Sequence, residues 1–132
     1  MFNNKFQILV VDDKRAVLDN ISAMLTSAGY VVDTACHGLA ASERILNTHY
    51  DLFIVDHLMP VMNGIQFTKH LRQHVDYVNA PIIFMTTQGH NSIKLLCDSN
   101  IFSAIVDKPL NEQVLINLIN DLTSANTRHQ LL

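Results

Sequence analysis

The sequence predicts a doubly wound α/β domain, a five-stranded parallel sheet with helices on both faces, and three observations lead there. Five short apolar, β-branched segments recur, at 6–11, 30–34, 52–55, 82–85 and 103–106, each of strand length. The segments between them carry apolar residues at helical spacing. The strand segments are largely apolar on both faces rather than alternating, as strands covered on both sides must be, and strands separated by helices join by right-handed crossovers.

The elements follow in order. The first strand is closed by Asp12-Asp13. A helix with Val17, Ile21, Met24 and Leu25 on one face then stops at Gly29, where glycine readily supplies a left-handed C-cap. After the second strand, Leu39, Ile45 and Leu46 mark the second helix. The third strand ends at Asp56, and Gly64 sits in the loop before the third helix. Pro81 precedes the fourth strand, which ends at Thr86-Thr87, and the fifth ends at Lys108-Pro109. Asn111 is placed to cap the fifth helix, whose periodic positions are Val114, Leu115, Leu118, Ile119 and Leu122. A single domain is expected over 1–132, with its core at about 5–123 and a short polar tail from 124 that frays.

Composition narrows the function. A length of 132 residues suits one hydrophobic core and leaves no room for a second, effector domain. Hydrophobic residues make up 48% and charged residues 16%, which argues against disorder. The net charge is −3 with Lys and Arg scattered, so the basic footprint of a nucleic-acid binder is missing. The apolar run near the N-terminus is too short for a signal peptide, and no run approaches the roughly 20 residues of a membrane span. A cytoplasmic protein without membrane insertion is expected. Cys36 and Cys97 are isolated and read as plain thiols.

Ligands of an open α/β sheet bind beyond the carboxyl ends of its strands, where strand order reverses. Asp12, Asp13 and Asp56 gather at that edge with Thr86 and Lys108. Three neighbouring carboxylates repel unless a cation neutralises them, and an oxygen-only site suits Mg²⁺, with Mn²⁺ as an alternative. A carboxylate can also attack phosphorus, provided positive charge stands beside the transferring group. Lys108 supplies such charge, and Thr86 offers a hydroxyl to a phosphoryl oxygen. Each residue alone has an ordinary explanation, Asp12-Asp13 as a capping turn and Asp56, Thr86 and Lys108 as strand-end polar groups. Their coincidence at four strand ends is far more specific than any one of them.

In order, Ile8-Leu-Val-Val-Asp-Asp13, Val55-Asp-His-Leu-Met-Pro60, Met62-Asn-Gly64, Phe84-Met-Thr86 and Lys108-Pro109 make the chain resemble the receiver domain of bacterial response regulators, of the chemotaxis, stand-alone type. The resemblance covers almost the whole chain. It implies a flavodoxin-like sheet in the order 2-1-3-4-5 with five helices, and phosphoryl transfer onto Asp56 in a two-component phosphorelay. It further implies that Asp13 and Asp56 bind the metal with the backbone carbonyl of Leu58, that Asp12 orients metal-bound water, and that Thr86 and Lys108 grip the phosphoryl group. Pro109 would follow a cis bond. The implied donor is a sensor histidine kinase or a histidine phosphotransfer protein. Output would pass to a downstream protein through the face of helix 4, strand 5 and helix 5, from a monomer or weak dimer. The chain would act as a signalling switch that catalyses only its own phosphorylation and dephosphorylation.

Some positions depart from that pattern. Ile105 stands where the family usually carries Tyr or Phe, Leu58 and Gln88 occupy positions that tune phosphoryl lifetime, and Thr87 replaces a commonly smaller residue. His70 and His74 have the i, i+4 spacing of some zinc sites, but no Cys or acid completes a ligand set, and an ordinary solvent-facing pair is the better reading. His57 alternates to the side opposite Asp56 and reads as a bystander. Two rivals differ in class. A haloacid-dehalogenase-like phosphohydrolase lacks its Asp-x-Asp second acid here, and a receiver-like module with fixed contacts would keep the fold without taking phosphate.

Overall fold

The computed structural model describes the backbone of residues 6–131 and the side chains of residues 6–124. Strands β1 (Gln7–Val11), β2 (Val31–Ala35), β3 (Leu52–Asp56), β4 (Ile82–Thr86) and β5 (Ala104–Asp107) alternate with helices α1 (Arg15–Ser27), α2 (Gly38–Asn47), α3 (Gly64–Arg72), α4 (His90–Leu96) and α5 (Glu112–Leu131). All pairings are parallel and the order is β2-β1-β3-β4-β5, the predicted architecture. Strand order reverses between β1 and β3, so a crevice opens above their carboxyl ends.

Alternation along each strand divides the core into two layers. Leu9, Val11, Phe53, Val55 and Phe84 face one side, packed with Ala41, Ile45, Phe67, Leu71 and Ile93 from α2, α3 and α4. Ile8, Val10, Ile54, Ile83 and Met85 face the other, packed with Leu18, Ile21, Leu25, Leu115 and Ile119 from α1 and α5.

Several expectations shift in detail. β3 and β4 each run one residue further than read from the sequence, so Asp56 and Thr86 are themselves strand residues. Leu39 and Leu46 do not form the inward face of α2 and stand exposed, because the helical turn instead buries Gly38, Ala41 and Ile45. Val114 is likewise exposed. Gly64 is the first residue of α3 rather than part of the preceding loop, and Asn63 and Gln66 form a reciprocal capping box before it, with both bonds at 2.9 Å. Gly29 (φ 96°) ends α1 and the Asn111 side chain caps α5 as expected. The tail from 124 falls on the last turns of α5, and its side chains from 125 onward lie outside the described residues. Among the described residues no helix is long and apolar enough to cross a membrane.

At the amino-end rim of the sheet, Arg72 staples the connections. Its guanidinium donates to the carbonyls of Ala80 (2.7 Å), Ile101 (2.8 and 3.0 Å), Tyr77 (2.9 Å) and Val78 (3.2 Å). One side chain thereby fixes α3 against the segments that enter β4 and β5. Burial holds its pKa below the usual guanidinium value, and no carboxylate is paired with it among the described residues.

Candidate functional site

β1 runs straight into Asp12, whose backbone N–H extends the sheet by donating to Ala35 O at 3.1 Å. The Asp12 side chain is fully buried. Its Oδ1 accepts from Lys14 N at 2.9 Å, which turns the chain toward α1, and its Oδ2 accepts from Lys108 Nζ at 2.8 Å. Asp13 points outward and meets Lys14 Nζ at 3.3 Å, an exposed pair of little energetic weight. Asp56, the last residue of β3, is 3% exposed. Its Oδ1 accepts from Lys108 Nζ at 3.1 Å, and its Oδ2 is buried with no hydrogen-bond partner among the described residues.

Lys108 reaches both acids from the loop after β5. Its N–H donates to Thr86 O at 3.0 Å, and the Lys108–Pro109 peptide is cis, as the resemblance implied. Burial, then the neighbouring charge of Asp12, pushes the Asp56 pKa above the usual carboxylate value in spite of Lys108. Burial alone would lower the Lys108 pKa, but its hydrogen bonds to Asp12 and Asp56 and their charges outweigh it and raise the ammonium pKa. The fold therefore holds a carboxylate whose charge is undercompensated.

A carboxylate oxygen from each of Asp12, Asp13 and Asp56 can be chosen so that all three lie within 4.8 Å of one another. Such an all-oxygen set, with one buried oxygen lacking any partner, fits a hard divalent cation. Thr86 is buried at the adjacent strand end, and its Oγ1 accepts from Gln88 N at 2.8 Å. It is thus engaged with its own loop and makes no bond to Asp56. Leu58 follows Asp56 by two residues, with a half-exposed side chain.

The packing of other residues around the site was not visible in the sequence. A Cβ on Gly64 would strike the Asp56 carbonyl and come within 2.9 Å of the Phe84 ring, so glycine is needed for α3 to sit against the end of β3. His57, although on the opposite side from Asp56 as expected, is 5% exposed, tilted against Phe84 at 5.4 Å, with Nδ1 unpartnered. Phe102 stacks on Phe84 at 4.0 Å, and the half-buried Ile105 packs against the same layer. Beside Lys108 lies an open groove of about 440 Å³, walled by Ala16, Val17, Asn20 and Ile21 of α1 and by Thr87, Pro109 and Leu110. Glycine at a helix start after a strand-end acid was a readable signal. The groove has no local one, because its walls are distant in sequence.

Comparison with known proteins agrees with this geometry. A family model described as a response regulator receiver domain matches residues 8–120. A transcriptional regulatory protein of Haemophilus influenzae, a CpxR homolog, is 32% identical over 110 residues, 83% of this chain and 47% of that protein. The chain spans about half the length of that relative and of the next, a probable transcriptional regulator of Cyanophora paradoxa matched over 57% of its length. Among solved structures, the chemotaxis protein CheY4 of Vibrio cholerae superposes with a TM-score of 0.83 at 30% identity, covering 89% of this chain and 98% of that one. The response regulator TrrA of Thermotoga maritima, solved with Mg²⁺ and BeF, gives 0.78 at 28% identity over 89% and 98% of the two chains.

Proposed function

This chain belongs to the response regulator receiver domain family, and from that premise we propose that Asp56 is the phosphoacceptor of a two-component phosphorelay. The observation that carries the reading is Asp56 itself: a buried carboxylate with one oxygen held by Lys108 and the other without a partner. A nucleophile needs a free lone pair and a neighbouring positive charge, and this side chain has both. In the transfer an Asp56 oxygen forms a bond to phosphorus while the bond to the donor's histidine nitrogen breaks. That nitrogen keeps the bonding electron pair.

Lys108 stands where it can hold a phosphoryl oxygen, and Thr86 would turn its hydroxyl from the Gln88 loop toward the added group. Asp13, Asp56 and the Leu58 carbonyl would hold Mg²⁺ or Mn²⁺, with Asp12 supporting them. When bound, the cation supplies charge that neutralises the carboxylates and the incoming phosphoryl group. The phosphodonor, a histidine kinase or histidine phosphotransfer protein, would seat an apolar helix in the groove between α1 and Pro109-Leu110. Output would pass through α4, β5 and α5, where Leu95 and Leu96 are exposed, with Ile105 in place of an aromatic side chain weakening the coupling. On this reading residues 1–132 form one cytoplasmic receiver domain, a switch rather than an enzyme with a separate substrate.

The deciding experiment incubates the protein with acetyl phosphate or phosphoramidate and Mg²⁺ and weighs it intact. One phosphoryl group is expected on the wild type and none on Asp56→Asn or in excess EDTA. Equal mass gain in Asp56→Asn would assign a different acceptor, and no gain in the wild type would favour a module with fixed contacts.

A further inference from the structure

Two histidines stand together at the far end of α3 from the acidic rim, and nothing in the reading above uses them. His70 lies in the last turn of α3. His74 lies two residues past the helix, in a turn closed by its N–H donating to Leu71 O at 3.1 Å, rather than on the helix itself as the spacing suggested. The two rings are 5.2 Å apart, centre to centre, at 82° to each other. Both are half-buried. His37 and His49 each place a ring nitrogen within hydrogen-bond distance of a protein group, whereas the ring nitrogens of His70 and His74 have no such partner among the described residues.

We propose that His70 and His74 form a two-imidazole site for a borderline divalent cation, Zn²⁺ or Cu²⁺, with water in the remaining positions. Neutral imidazole is a preferred ligand of these ions. Two imidazoles sharing one tetrahedral ion at an N–metal distance of about 2.0–2.1 Å have ring centres about 5 Å apart, so the separation already suits a common ion. The χ2 torsion of His is broad, and turning the rings to converge costs little. The backbone is fixed, since Leu71 between them is fully buried and Arg72 is tied to four carbonyls. His74 also leans edge-on against the buried Tyr77 ring at 6.3 Å.

The pair differs in kind from the acidic rim. It offers nitrogen and no carboxylate oxygen, so Mg²⁺ has little reason to bind, while Cu²⁺ should bind more tightly than Zn²⁺. The ring nitrogens lack, among the described residues, the supporting hydrogen bonds of permanent metal centres, so the ion should exchange readily.

The test titrates the full chain with Zn²⁺ in excess Mg²⁺ by calorimetry and follows Cu²⁺ by electron paramagnetic resonance. One equivalent of Zn²⁺ and a Cu²⁺ spectrum split by two imidazole nitrogens are expected. His70→Gln and His74→Gln, which keep much of the bulk and whose fold is checked by circular dichroism, should each weaken binding roughly tenfold or more. Asp13→Ala should leave the Zn²⁺ isotherm unchanged. Undiminished binding in the folded double variant His70→Gln/His74→Gln would overturn the proposal, as would loss of binding in Asp13→Ala or a single-nitrogen Cu²⁺ spectrum.

Discussion

Lys108 and Arg72 are both partly buried cations at the ends of the sheet, yet one faces carboxylates and the other neutral carbonyls. At the carboxyl-end rim, Lys108 is shared between Asp12 and Asp56, and one Asp56 oxygen is left with no partner. At the amino-end rim, Arg72 satisfies four backbone carbonyls and itself carries no carboxylate partner among the described residues. The first arrangement stores an electrostatic imbalance that a cation or a phosphoryl group can relieve. The second removes imbalance from the loops and serves stability alone.

The comparison breaks most visibly at Arg72. Arg72→Ala would remove the guanidinium's bonds to four carbonyls, most of them partly buried, and should cost about 3–4 kcal/mol in urea denaturation, with Mg²⁺ giving no recovery. Arg72→Lys should recover little, because an ammonium cannot span four acceptors in a fixed fork. A loss below about 1 kcal/mol would mean that water replaces the guanidinium without penalty.

At the other rim Lys108→Ala leaves Asp12 and Asp56 facing each other, with an expected loss of about 2 kcal/mol in EDTA. Added Mg²⁺ should restore most of it. Equal destabilisation with and without Mg²⁺ would show that the two cations serve the same purpose and erase the contrast.

A smaller effect of opposite sign is expected for Asp56→Asn. Burial and the Asp12 charge already disfavour the ionised carboxylate in the folded state, so the neutral amide should raise stability by about 1 kcal/mol in EDTA. The gain should shrink in Mg²⁺. Thermal unfolding of both proteins checks it, and a less stable Asn variant would show that the site is not under electrostatic tension.

The smallest effect lies between the rims. The Tyr50 hydroxyl donates to Asp33 Oδ2 at 2.6 Å, and burial, with help from that carboxylate, pushes its pKa up to about 12. The folded state thus retains a proton that the unfolded chain releases near the ordinary tyrosine pKa of 10.0. The stabilisation is fully present below that value and is lost as pH rises toward 12. Tyr50→Phe should show a shallower alkaline fall in stability, and identical slopes would remove Tyr50 as the cause.

Most of the fold was legible because it rests on local patterns. The four-residue apolar runs at 52–55 and 82–85 read as buried strands in a chain of this length, and Gly29, Pro81 and Asn111 punctuated the elements between them. Where the reading slipped, packing overrode periodicity: Leu39 and Leu46 are hydrophobic but α2 presents smaller Gly38 and Ala41 to the sheet. Gly64 was read as a loop residue although the signal was there, because the need for glycine becomes evident only where α3 closes on the Asp56 backbone.

By itself the sequence determined the sheet, its alternating layers, and which five polar side chains end at one rim, since strand ends are set by where apolar runs stop. Only the tertiary structure decided how those side chains share charge. That Lys108 divides itself between Asp12 and Asp56, that Thr86 bonds its own loop, and that one Asp56 oxygen stays unpaired depend on distances across four strands. Burial and electrostatic interaction fall off over a few ångströms in space, and residues up to 96 positions apart in the chain become neighbours only when the sheet closes.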